Sequence, residues 1–197
     1  MRPARLEPGW SAHAQLSYAQ SPGEVASWFY DLEDCTTACS RAILAEDATV
    51  AWARVPGGGV PFALGVGING LFPFAEGYAQ VGRGRVPWGI GGRLGLPTGG
   101  WYQHQLFARA DVPLGSERRL LWNPGVFLQT GHSPNRASTG HFFGVVQAVG
   151  VELPLRGFVL LPSGALAWGR AERRSYGERI GPESAVFGTV GVAITFR

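Results

Sequence analysis

Residues Val60 to Leu96 read VPFALGVGINGLFPFAEGYAQVGRGRVPWGIGGRLGL. Taken in steps of two, Val60, Phe62, Leu64, Val66 and Ile68 are large and apolar, while Pro61, Ala63, Gly65, Gly67 and Asn69 between them are small or polar. The alternation returns with Val86, Trp88, Ile90, Leu94 and Leu96 against Gly89, Gly91, Arg93 and Gly95. A period of two is the signature of a strand, because successive side chains point to opposite faces. A soluble sheet turns its bulk inward and shows Lys, Glu, Thr or Ser to water. Here the face opposite the bulk is mostly Gly and Ala. Such a sheet is expected to meet lipid with its large residues and to line a narrow interior with its small ones.

The remaining composition agrees. The chain has 197 residues, which suits one domain spanning 1–197. Hydrophobic residues make up 45% and Gly numbers 30, a high count for a packed globule. Mean hydropathy is +0.03, as expected where lipid-facing positions alternate with polar ones. No run of about 18 or more uncharged apolar residues is present, so a transmembrane helix is excluded. All 17 basic residues are Arg. The basic stretches adjoin Glu and lack the aromatic interleaving of a stacking platform, so nucleic acid is not an expected partner. Cys35 and Cys39, in Cys-Thr-Thr-Ala-Cys, have no nearby His or second Cys pair to complete a zinc site. A short-loop disulfide in an oxidising compartment is the expectation, with two free thiols as the alternative. Met1 to Trp10 carries charge but no apolar core of a signal peptide, so an exported barrel is expected here in its mature form.

Along the chain, Ser11 to Ala19 reads as a first strand, and 20–41 as a loop or short helix bearing the cysteines. Further strands are expected over 42–55, 60–69, 72–81, 86–96, 102–112, 119–130, 141–155, 158–170 and 184–196, with a hairpin turn at Asn69-Gly70. Asn123-Pro124-Gly125 predicts an irregularity. Gly131 to Gly140 and Arg170 to Glu183 read as polar loops. Most strands are about 9–13 residues, the length a tilted strand needs to cross a bilayer. The fold expected is an all-β, antiparallel, up-and-down transmembrane barrel of about eight to ten strands.

With the strands in place, the aromatics near their ends (Trp52, Phe72, Trp88, Trp101, Tyr102, Trp122, Trp168) and the final Ala-Ile-Thr-Phe resemble those of small bacterial outer-membrane β-barrels. The resemblance spans Ser11 to Arg197 as a pattern and rests on no single motif. Members of that class commonly end in an aromatic residue; here Arg197 follows Phe196. The resemblance implies residence in the bacterial outer membrane, contact with the lipid bilayer and lipopolysaccharide, and envelope proteins as partners.

Large residues facing out leave Arg93, Gln103, Gln105, Arg109, Asp111, Gln129 and Glu152 for the interior. Barrels of this size have room inside for little more than side chains, and buried charges there must pair. Arg93, Arg109, Asp111 and Glu152 are therefore expected to form a lumen charge network, either filling the barrel or lining a narrow pore. A second group lies in Gly131 to His141. His132, Ser133 and His141, with Glu152 as the next carboxylate, hold the residue types of a nucleophilic hydrolase. His132-Ser133-Pro134-Asn135 is similar in content, though not in order, to the His-x-Ser-Asn arrangement of outer-membrane lipid A deacylases. Turn chemistry alone also accounts for this stretch. The Arg of 170–179 suit a solvated loop or phosphate contact. No cofactor and no metal is expected. The favoured function is a non-enzymatic structural, envelope-assembly or narrow-pore role. The alternatives are a lipid-modifying hydrolase and a soluble barrel binding a small apolar ligand with its large residues turned inward.

Overall fold

The computed structural model describes residues 2–21, 41–69, 72–96, 101–115, 118–133, 138–175 and 178–196. The expected disulfide of Cys35 and Cys39, and the loop or helix carrying it, lie outside these residues.

Among the described residues, ten strands form one sheet: β1 Gly9–Ser21, β2 Arg41–Arg54, β3 Phe62–Asn69, β4 Phe72–Gly82, β5 Trp88–Gly95, β6 Trp101–Leu114, β7 Arg118–Ser133, β8 Ser138–Leu155, β9 Phe158–Ser175 and β10 Glu178–Phe196. Each pairs antiparallel with the next, and β1 pairs with β10 from Ala12 opposite Phe196 to Gln20 opposite Gly188. The sheet thus closes into a barrel and keeps no free edge.

Alternation decides what each face meets. Leu64, Val66 and Ile68 on β3, Trp88, Ile90 and Leu94 on β5, and Val186, Val190 and Val192 on β10 all stand exposed on the outer surface. A closed barrel wearing such an apolar belt spans a membrane, since in water the same surface would drive aggregation. The inward-facing bulk of a soluble ligand-binding barrel is not what the chain adopts. Trp10 and Trp52 face one another across β1 and β2 at the end where the N-terminal segment lies. Trp88 and Trp122, also exposed, stand on the same side of their strands, in keeping with an interfacial aromatic girdle.

Two expectations change and a third is narrowed. In β4 the bulk is inverted: Phe74, Glu76, Tyr78 and Gln80 are buried inside the barrel, and the intervening Ala75, Gly77 and Ala79 take the outer positions. Secondly, the described residues of 131–140 and 170–183 are strand, with β7 and β8 paired up to Ser133 opposite Ser138, and β9 and β10 up to Ser175 opposite Glu178. Polar residues signalled loops there, but a ladder already in register extends into water without needing apolar side chains. Thirdly, the irregularity expected at Asn123-Pro124-Gly125 is present, but on one side only, and it does not break β7. Pairing with β8 is continuous through Pro124 opposite Gln147, while pairing with β6 lapses between Phe107–Gly125 and Ala110–Trp122. Proline has no N–H to give that side of the ladder.

Candidate functional site in the lumen

Before β1 begins, residues 2–8 turn into the barrel and run up its interior. Gly9 makes the turn at φ 112°, a conformation open to glycine at little cost. From there the segment is held by side chains of β4 and β6. Asp111, fully buried, accepts the backbone N–H of Ala4 at Oδ1 (2.7 Å) and that of Arg5 at Oδ2 (2.9 Å). Gln80 Oε1 accepts the N–H of Leu6 at 2.9 Å, and the Tyr78 hydroxyl donates to the Ala4 carbonyl at 2.9 Å. Ala4 is fully buried against Tyr78 and Phe107, with Leu6 packed alongside. These are the bonds an extended chain needs when it is taken from water without a neighbouring strand.

At its inner end the segment delivers Arg2 to an ion network. Glu76 pairs with Arg2, with Arg93 Nη2 at 3.2 Å and with Arg109 Nη2 at 2.7 Å, and Arg93 Nη1 reaches Asp47 at 2.6 Å. The guanidiniums also lie on aromatic faces. Arg93 sits 3.8 Å from the Phe74 ring centre, and Arg109 lies 4.4 Å from that of Phe107 and 4.7 Å from that of Tyr78. Tyr78 and Phe107 are themselves stacked at 6.4 Å. The rings fit because glycine lies under them: a Cβ on Gly67 would meet Phe74 at 2.6 Å, one on Gly89 the Tyr78 hydroxyl at 2.5 Å, and one on Gly91 the Phe107 ring at 2.7 Å.

Among the described residues, two cavities adjoin the segment. One, of about 190 Å³, is bordered by His13, Gln15, Asp47, Arg93, Gln105 and Asn123 among others. The second, of about 150 Å³, separates the segment from the small residues Ala51, Ala53, Ala63 and Gly65 of β2 and β3. Arg2 and Arg109 border both.

Of the charges expected in the lumen, Arg93 and Arg109 come together, but on Glu76 and Asp47. Asp111 instead binds the backbone of the N-terminal segment. Glu152 is buried elsewhere, with Arg119 Nε at 3.9 Å. Of the hydrolase candidates, His132, Ser133 and His141 share one end of the β7–β8 ladder and Glu152 is remote from them. His141 is exposed on β8 with its Nδ1 3.2 Å from Thr130 Oγ1, and His132 and Ser133 lie at the far end of β7, opposite Thr139 and Ser138. Glu152 follows His141 by 11 residues of continuous strand, a separation of roughly 35 Å at about 3.3 Å per residue. Asn135 lies outside the described residues. Sequence reading did not anticipate Arg2, Asp47, Glu76, Tyr78 or Gln80. A signal for three of them existed: Glu76 and Gln80 share the parity of Phe74 and Tyr78, and a face mixing charge with bulk belongs to a lumen.

No protein-family model matches the chain, and no curated protein matches it. Among solved structures it is similar to Neisserial surface protein A, with 9% identity, a TM-score of 0.43, and 95% of this chain and 96% of that one covered. It is also similar to the beta domain of the Bordetella autotransporter Brka (12% identity, TM-score 0.44, 96% and 99% covered). A third is an outer membrane channel from Pseudomonas putida F1 (8% identity, TM-score 0.37, 98% and 97% covered). These similarities assign the chain to no family.

Proposed function

We propose that this protein is a bacterial outer-membrane β-barrel with a non-enzymatic, structural role in the envelope, its lumen held shut by its own residues 2–8. The observation that carries the reading is the seating of that segment, with three successive backbone N–H groups bound by Asp111 and Gln80. A barrel built to conduct continuously would not devote buried, directional bonds to a chain across its own bore. The outer belt contacts lipid. The ladder of β7 to β10 that extends beyond it, with Arg170 and Arg174 exposed, offers guanidinium forks to lipopolysaccharide phosphates.

The test is to refold the full chain into phospholipid vesicles containing lipopolysaccharide. The expected result is a compact band that shifts on heating, a β-type circular dichroism spectrum, and vesicles that stay tight to small ions. A well-behaved monomer in plain buffer, or a steadily open channel from the full chain, would sink the reading.

A further inference from the structure

Among the described residues, 2–8 are held inside the barrel without being part of its sheet. None of them belongs to a strand, so their departure would break no bond of the ladder. What they occupy is a set of groups on β4 and β6 arranged as a receptor for extended chain. Asp111 and Gln80 take three consecutive N–H groups, Tyr78 gives its hydroxyl to one carbonyl, and Glu76 takes a cation two residues before the buried small side chain. We propose that this wall is a peptide-binding site, that residues 2–8 are its intramolecular ligand, and that their release opens a narrow passage through the barrel.

The passage is already prepared on either side. Both cavities are bordered by Arg2 and Arg109, so these two side chains stand between them, and of the two only Arg2 belongs to the segment. The wall facing the segment is Ala51, Ala53, Ala63 and Gly65, which cannot reach across the lumen to replace it. Charge points the same way. Glu76, Asp47 and Asp111 are inward carboxylates set against Arg93 and Arg109, and Arg2 is the third cation. The segment is therefore matched to the site in charge, in backbone bonding and in the size of Ala4. The ligand class follows: an extended peptide with Arg placed two residues before a small side chain.

This rests on the closed-barrel reading, and the experiment separates the two. A chain lacking residues 2–8 is placed in planar bilayers beside the full chain, each first shown to give the heat-shifting band. The shortened barrel is expected to conduct where the full chain does not, and a synthetic peptide of residues 2–8 to close it again. Peptides carrying Arg2→Glu or Ala4→Trp should fail. Asp111→Ala in the shortened barrel should raise the blocking concentration at least about tenfold, the loss expected for hydrogen bonds to a charged group. A folded shortened barrel as tight as the full chain would overturn the proposal, as would equal closure by a scrambled peptide. Should the shortened chain not fold, Asp111→Ala in the full chain decides: intermittent opening supports the release, and unbroken silence refutes it.

Discussion

Glu76 is the residue on which the interior depends. It is buried, and it is the shared partner of Arg2, Arg93 and Arg109. Removing one member of a buried ion network leaves the others uncompensated, at about 3–5 kcal/mol. Glu76→Ala should therefore destabilise the barrel by that order, read as a fall in the urea midpoint of the heat-shifting band. Little or no shift would mean that water screens the cluster far more than its burial implies. Gly89 answers the opposite question, of space. A methyl group there would run into the Ala79 carbonyl oxygen of the neighbouring strand and the Tyr78 hydroxyl, and overpacking of this kind costs about 1–3 kcal/mol. Gly89→Ala is expected to lower the same midpoint, whereas Gly57→Ala, with nothing near its Cβ, should leave it in place.

At the scale of the strand, β4 is the instructive element. Its large residues face inward and its small ones outward, the reverse of β3 and β5 beside it. The sheet remains continuous because the register places glycines of the neighbouring strands against the inward rings: Gly67 opposite Phe74 on one side, and Gly91 opposite Tyr78 on the other. Ala75 therefore lies on the lipid surface between Val66 and Leu94. An Arg in the lipid-facing belt costs about 2–4 kcal/mol near the bilayer midplane. Ala75→Arg and Val66→Arg are both expected to destabilise by this amount in vesicle refolding, although one replaces a small residue and the other a large one. Tolerance of Ala75→Arg would show that β4 points the other way.

For the whole molecule, closure of the sheet and the proposed closure of the lumen are separate matters. The first comes from ten registered ladders, the second from residues that contribute to none. With residues 2–8 withdrawn, Asp47, Glu76 and Asp111 outnumber Arg93 and Arg109 by one. In a bore this narrow, charges on the wall select ions of opposite sign. The shortened barrel is expected to pass potassium in preference to chloride, read from the reversal potential under a salt gradient. A preference for chloride would mean that the acidic side chains do not face the conducting path.

Much of this architecture was legible in the residues themselves. Alternation at Val60 to Asn69 and Val86 to Leu96 specifies strands, and the pairing of bulk with Gly and Ala specifies which face meets lipid, because both are properties of a residue and its neighbours two positions away. That Arg93 and Arg109 turn inward follows from the same parity. Their partners do not. Asp47 is 46 residues from the Arg93 that it binds, and Asp111 is 107 from Ala4. Which charges meet depends on strand order and register, which no local pattern carries. Polar stretches such as Arg170 to Glu183 misled for a related reason: whether they extend as strand is decided by the ladder they continue. The N-terminal segment shows the limit most plainly. Read alone, Arg2-Pro3-Ala4 is a charged leader without periodicity, and only a closed barrel with Glu76, Tyr78, Gln80 and Asp111 facing its axis makes it a ligand.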